Sequence, residues 1–330
     1  MLALQGRNLS VEMNEDGSGL VLTDRARACR WRLAPAHQGY RLAGEKDKFA
    51  PLAGGRAEKQ GDALVVTYPV PGGSARFCWS LADDHAQVEL QCNSSEVECV
   101  ALPGAVFAEG AAQEIAIPFY QGLLLRGPPA GPGQGGETWQ RVCSHGGHFN
   151  FSMAMGAALA PNGGLLVTHE CHPNWQVAFG QEPGGPFFRF EQRRCPVDGW
   201  VGAAARFYPV DPDVTAVCKR YRRRVKERGE LVLWPQKIAE RPMVKELFGG
   251  LMAFVGYNRW PETDYVGCAR RLREMGFTSV FYYPLRMLQY SLGFQMGGDD
   301  PIWLDDATLE AIRAIPGAHP APWAWCVEGL

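Results

Sequence analysis

Arg76-Phe77-Cys78-Trp79-Ser80-Leu81, then Ala82-Asp83-Asp84-His85, then Gln87-Val88-Glu89-Leu90-Gln91-Cys92 decide how the first 210 residues are read. Side chains on a strand alternate between faces, so Phe77, Trp79 and Leu81 share one face. Val88, Leu90 and Cys92 do the same on the return, with polar residues between them. A four-residue polar connection joins the two runs, which predicts a half-buried antiparallel hairpin. Similar short runs at 19–23, 64–70, 97–102, 114–117, 164–169, 174–180 and 187–191 are punctuated by Gly, Pro, Asn and Asp. So many strands with almost no helical periodicity predict a large antiparallel β-sandwich over residues 1–210. The Gly/Pro-rich stretch 127–137 is an excursion from it, since strand patterns resume afterwards.

The pattern changes at Asp211. Asp213 is a candidate N-cap, Val214, Val217, Cys218, Tyr221 and Val225 recur at helical spacing, and Gly229 is a stop. The basic run Lys219-Arg220-Tyr221-Arg222-Arg223-Arg224 lies on this helix, as a solvated face or one that docks on a neighbouring domain. A short helix is expected at Pro242–Phe248, closing a connector over 211–248. From 249 the chain alternates. Leu251–Val255 is a buried strand, Tyr265 to Met275 an amphipathic helix ended by Gly276, and Ser279–Tyr283 a second strand. Asp305 or Asp306 caps another helix, and Pro320–Val327 is a third strand. Such alternation implies parallel β/α units with right-handed crossovers. A closed barrel of this kind has eight strands and typically about 250 residues. The expected fold class is therefore multidomain, β then α/β. An antiparallel β-supersandwich is followed at 249–330 by the first three units of an incomplete TIM-type barrel, the chain being the N-terminal portion of a longer protein. A complete three-stranded appendix is the alternative.

Of 330 residues, 46 % are hydrophobic and 21 % charged, ordinary globular usage that excludes disordered, collagen-like and coiled-coil classes. Thirty-three basic and 35 acidic side chains give a formal charge of −2, so no global electrostatic reason to bind nucleic acid follows. No run of 18 apolar residues predicts a membrane span. Met1–Gly17 lacks the basic and apolar regions of a secretory signal, which points to the cytoplasm. The ten cysteines form no CxxC pair and are expected as free thiols. No cofactor is expected: Gly131–Gly136 is flanked by prolines and opens no helix. His169-Glu170-Cys171-His172, even with His145 and His148, reads as a strand end before a turn rather than a metal centre. Asp299-Asp300 and Asp305-Asp306 read as a turn and a helix cap rather than a catalytic pair.

Two stretches carry a resemblance. One is Ile115-Ala116-Ile117-Pro118-Phe119-Tyr120-Gln121-Gly122-Leu123-Leu124-Leu125. The other is Tyr221-Arg222-Arg223-Arg224-Val225-Lys226-Glu227-Arg228-Gly229 with Lys237-Ile238-Ala239-Glu240-Arg241-Pro242, Val244 and the strand at 251–255. The arrangement resembles glycoside hydrolases that place a galactose-mutarotase-like β-supersandwich ahead of a catalytic β/α barrel, relatives of the endo-α-N-acetylgalactosaminidases in particular. The resemblance implies action on α-linked glycosides by two carboxylates flanking the scissile bond. It places them on later barrel strands, beyond Leu330, so the catalytic residues are unknown here and the chain alone is expected to be inactive.

Barrel function gathers on the loops after the C-terminal strand ends. Those positions make Tyr257, Asn258, Trp260, Tyr283, Arg286 and Glu328 the candidate substrate-binding residues, aromatic rings for sugar faces and polar groups for hydroxyls. The bland readings are Trp260 packed near Pro261, Arg286 paired with Asp299 or Asp300, and Glu328 capping a further helix. The expected partner is a carbohydrate ligand, with no nucleic acid and no membrane. Two alternatives remain: a non-enzymatic carbohydrate-binding or scaffold protein, and an aldose epimerase-like enzyme using His145 or His169.

Overall fold

The computed structural model describes residues 1–45, 49–119, 122–127, 139–144, 151, 153–170, 174–248, 250–255, 264–277, 279–284, 306–315 and 318–320. The chain divides into two compact units, Met1–Glu230 and Leu231–Leu330.

In the first unit three antiparallel sheets share one core. A nine-stranded sheet runs in the order Leu123–Arg126, Glu114–Ile117, Met155–Ala160, Gly163–Glu170, Ala203–Val210, Ala86–Cys92, Gly73–Leu81, Ala63–Val70 and Arg56–Gln60. A six-stranded sheet runs Trp139–Ser144, Trp175–Glu182, Gly185–Arg193, Val97–Ala101, Gly39–Leu42, Ala50–Pro51. A five-stranded sheet is built from Leu2–Gln5, Leu9–Met13, Val21–Asp24, Cys29–Leu33 and Val106–Ala108. The hairpin expected between Arg76 and Cys92 pairs Leu90 with Phe77 and Val88 with Trp79, all buried. Ala82 N donates to His85 O across its turn at 2.9 Å.

The core draws Trp31 and Leu22 from the five-stranded sheet, Phe77, Val167 and Phe207 from the nine-stranded one, and Phe179, Phe188 and Phe190 from the six-stranded one. Contact between the sheets depends on small residues as much as large ones. A Cβ on Gly156 would lie 2.6 Å from a ring carbon of Phe188, so only glycine lets that ring settle on its strand. Leu2–Gln5, Leu9–Met13, Cys29–Leu33, Met155–Ala160 and Ala203–Val210 lie outside the runs expected from the sequence. Met155–Ala160 shows why: it is buried at every position, and its small residues display no alternation to read.

The helix expected after Asp211 is α1, Val214–Glu227. Asp213 Oδ1 accepts from Ala216 N at 2.9 Å. At the other end Glu230 N donates to Val225 O and Gly229 N to Lys226 O, with Gly229 at φ 74°, a Schellman stop that glycine fills without strain. Val217 packs with Leu166, Tyr208, Val210, Met155 and Ala157, which covers the second face of the nine-stranded sheet. That coverage explains why Gly163–His169 is buried at every position instead of at alternate ones.

The second unit begins with α2, Trp234–Glu240, and the 3-10 helix Pro242–Leu247. Only the latter is expected from the sequence. Strands Gly250–Val255 and Ser279–Pro284 pair in parallel, as do Ser279–Pro284 and Ala318–Pro320, in chain order. Helix α3, Tyr265–Glu274, lies between the first two and is capped by Asp264 Oδ1, 2.7 Å from Gly267 N. Helix α4, Asp306–Arg313, precedes the third. The third strand enters at Ala318, two residues earlier than expected, and 321–327 lie outside the described residues. No helix among the described residues is long and apolar enough to cross a membrane, and Cys29, Cys78, Cys92, Cys99, Cys195, Cys218 and Cys268 are free thiols.

Candidate functional site

Parallel pairing puts Val255, Pro284 and Pro320 at one edge of the three-stranded sheet. Tyr257, Asn258 and Trp260 come within five residues of Val255, and Arg286 lies two residues past Pro284. These four and Glu328 lie outside the described residues, as do His145, His148, Cys171, His172, Asp299, Asp300 and Asp305. Tyr283 lies on the strand Ser279–Pro284, opposite Phe254.

The six-stranded sheet holds a polar cluster that the sequence does not announce. Strand alternation turns Phe188 and Phe190 into the core and sends Arg189 and Glu191 to the opposite face. Both stay buried there, Glu191 at 0 % and Arg189 at 5 % exposure. Glu191 accepts from Arg189 Nε at 2.7 Å and from Gln176 Nε2 at 2.5 Å. Arg189 also lies 4.0 Å above the Phe49 ring and donates from Nη1 to His37 Nδ1 at 3.1 Å. A guanidinium has no acceptor, so His37 Nδ1 must be bare. The proton therefore sits on Nε2, which faces Glu182 Oε2 at 2.9 Å. Burial holds the His37 imidazole below its usual pKa and Arg189 adds to this, while the Glu182 hydrogen bond opposes it. At the rim Glu98 pairs with Arg193 at 2.8 Å and lies 3.6 Å from Arg41. Cys99 Sγ is 3.8 Å from Glu191 Oε2. Burial, with Glu191 beside it, pushes that thiol up to about 12, so it stays protonated.

Three carboxylates face three guanidiniums in this cluster, and both nitrogens of its histidine are engaged. The geometry suits fixing one face of the sheet better than moving a proton to a ligand. The signal for it is present in Phe188-Arg189-Phe190-Glu191-Gln192-Arg193, where charges alternate with phenylalanines on a strand that is buried almost throughout.

A second polar group fastens α1. Arg224 bonds Glu170 through Nε and Nη2 at 2.7 and 2.8 Å, and Arg206 Nη1 joins the same carboxylate at 2.9 Å. Arg220 lies 3.9 Å over the Tyr208 ring and reaches Asp84 Oδ2 at 2.8 Å. Two members of the basic run are thus docking groups for the sheet. His169, one residue from Glu170, points the other way. It is buried against Trp175 and Phe190, and desolvation drives its pKa down to about 3. It is a neutral core residue, unsuited to the acid–base part that an epimerase-like reading gives it. Among the described residues no group of three or more His, Cys, Asp or Glu side chains could hold a metal ion.

No family model matches the chain, and no curated protein does. Solved structures do. The α-N-acetylgalactosaminidase NagBb from Bifidobacterium bifidum in its GalNAc complex superposes with a TM-score of 0.64 at 18 % identity, covering 86 % of this chain and 51 % of that one. Its ligand-free form gives 0.63 and its Gal-NHAc-DNJ complex 0.62, each at 17 % identity with the same coverage. A galactose mutarotase-like protein from Lactobacillus casei reaches 0.35 at 13 % identity, covering 63 % of this chain and 99 % of that one, too weak to argue from. The likeness to NagBb is one of fold, and the chain spans about half the length of NagBb.

Proposed function

We propose that this chain supplies the sandwich and the first β/α units of a glycoside hydrolase acting on α-linked glycosides, with the reacting carboxylates on barrel strands beyond Leu330. The observation that carries the reading is the joint one: an antiparallel sandwich, then three parallel strands in chain order, superposing on a glycosidase over 86 % of the chain. Fold alone does not confer activity, so the candidate residues must be tested directly. In this reading Tyr257, Asn258, Trp260, Tyr283, Arg286 and Glu328 line the sugar site at the C-terminal edge of the barrel strands. The chain alone binds a carbohydrate and does not hydrolyse it.

The test is release of p-nitrophenol from p-nitrophenyl α-N-acetylgalactosaminide and other aryl α-glycosides. The expected result is no turnover by the chain and turnover by a version extended with the downstream coding sequence. In the extended protein, Trp260→Ala raises KM with less effect on kcat. Hydrolysis by the chain itself, or none by the extended protein on any aryl glycoside, overturns the reading.

A further inference from the structure

Helix α1 divides its cations between two tasks. Arg220 and Arg224 face the sheet, whereas Lys219, Arg222, Arg223 and Lys226 are exposed and enter no ion pair among the described residues. Their spacing, i, i+3, i+4 and i+7, makes one stripe about 10 Å long. The helix has a single acidic residue, Glu227. It lies 3.4 Å from Arg220 and 3.8 Å from Arg224, turned away from the stripe. Like charges three and four residues apart weaken a helix. Four such pairs occur here: Lys219 with Arg222 and with Arg223, Arg222 with Lys226, and Arg223 with Lys226. A chain of net charge −2 has acids to spare, so the stripe is not a by-product of a basic composition. Local cost without compensation among the described residues marks a place where another group supplies the counter-charge.

We propose that this stripe docks an acidic polysaccharide, whose carboxylate or sulfate groups line up along the four cations. The choice of a glycan rests on the glycoside hydrolase reading of the chain. It is favoured over single-stranded nucleic acid because the stripe exposes no aromatic ring for base stacking, and duplex nucleic acid, whose phosphates Lys and Arg also bind, is an outcome of the test. The only aromatic residue of α1, Tyr221, is half-buried and packed towards the Leu166 and Tyr208 cluster.

The full chain is tested by titration calorimetry against a heparin oligosaccharide, polygalacturonate, neutral dextran and duplex DNA. Binding to heparin or polygalacturonate but not dextran is expected, and which of the two binds tells sulfate from carboxylate. The affinity is lost as ionic strength approaches about 1 M, where screening acts within about 3 Å. The variant Arg222→Ser/Arg223→Ser weakens binding at least about tenfold, with a melting temperature equal to or above that of the parent. Undiminished binding by that variant, binding to neither polysaccharide, or tighter binding to DNA than to both overturns the proposal. Hydrolysis of a neutral aryl glycoside does not involve the stripe. The extended protein can therefore fail that assay while the chain still binds the polysaccharide, or pass it while the chain does not.

Discussion

Glu191 joins a guanidinium, an amide and a thiol from three other strands or positions of the six-stranded sheet, with no water-exposed surface of its own. Removing one partner of a buried ion pair leaves the other charge stranded, at a cost of about 3–5 kcal/mol. Glu191→Ala should lower the unfolding free energy from urea titration by that amount. Arg189→Met/Glu191→Leu should lose much less than the two single variants together, and additive losses would show that the pair is not coupled. The histidines make a pH prediction. His37 and His169 are both held neutral by burial, His169 down to about 3, while an unfolded histidine titrates near 6.5. As pH falls below about 6.5 the unfolded chain binds protons that the folded chain refuses. Stability is therefore complete above that pH and drops with acid, by up to about 1.4 kcal/mol per pH unit for His169, with His37 acting in the same direction. Urea titrations between pH 7 and pH 5 should show this slope, and His169→Phe should reduce it. An unchanged slope would place the acid sensitivity elsewhere. At this scale the sequence reveals little, because the partners are remote in the chain. His37 meets Glu182 across 145 positions, and the residues singled out from the sequence owe their selection to their place after strand ends.

Helix α1 is legible at both ends. Asp213 before the first turn and Gly229 after the last are local signals, and local signals survive folding. The use of its arginines is not legible, since helical spacing tells which residues share a face but not what lies opposite. Arg224 makes a bidentate contact with a carboxylate that is shielded by the helix itself. Arg224→Ala should destabilise the first unit by about 1–3 kcal/mol and speed amide exchange across Arg224–Gly229. Exchange unchanged there would mean that the apolar contact of Val217 holds the helix by itself. The strands divide the same way. Alternating ones such as Gly73–Leu81 show in their pattern, whereas Met155–Ala160 has small residues buried on both sides and leaves no period to read.

For the whole molecule, the switch from antiparallel to parallel pairing after residue 248 is legible in the order of the runs. Leu251–Val255 and Ser279–Tyr283 are separated by residues at helical spacing, and strand–helix–strand alternation implies parallel crossovers. The boundary between compact units at Glu230 depends on tertiary contact: α1 looks like connector in the sequence but packs on the nine-stranded sheet. Residues 1–230 should therefore fold alone, with one cooperative thermal transition and the helical signal of α1. A broad, non-cooperative melt would show that the sandwich depends on residues 231–330. The Schellman stop at Gly229 has a practical corollary. It satisfies the last carbonyls of α1 from within Arg228–Glu230, so the backbone past Glu230 owes the helix nothing. A protease recognition sequence spliced in at that point would let both halves be made as one polypeptide and then parted, leaving the helix end intact.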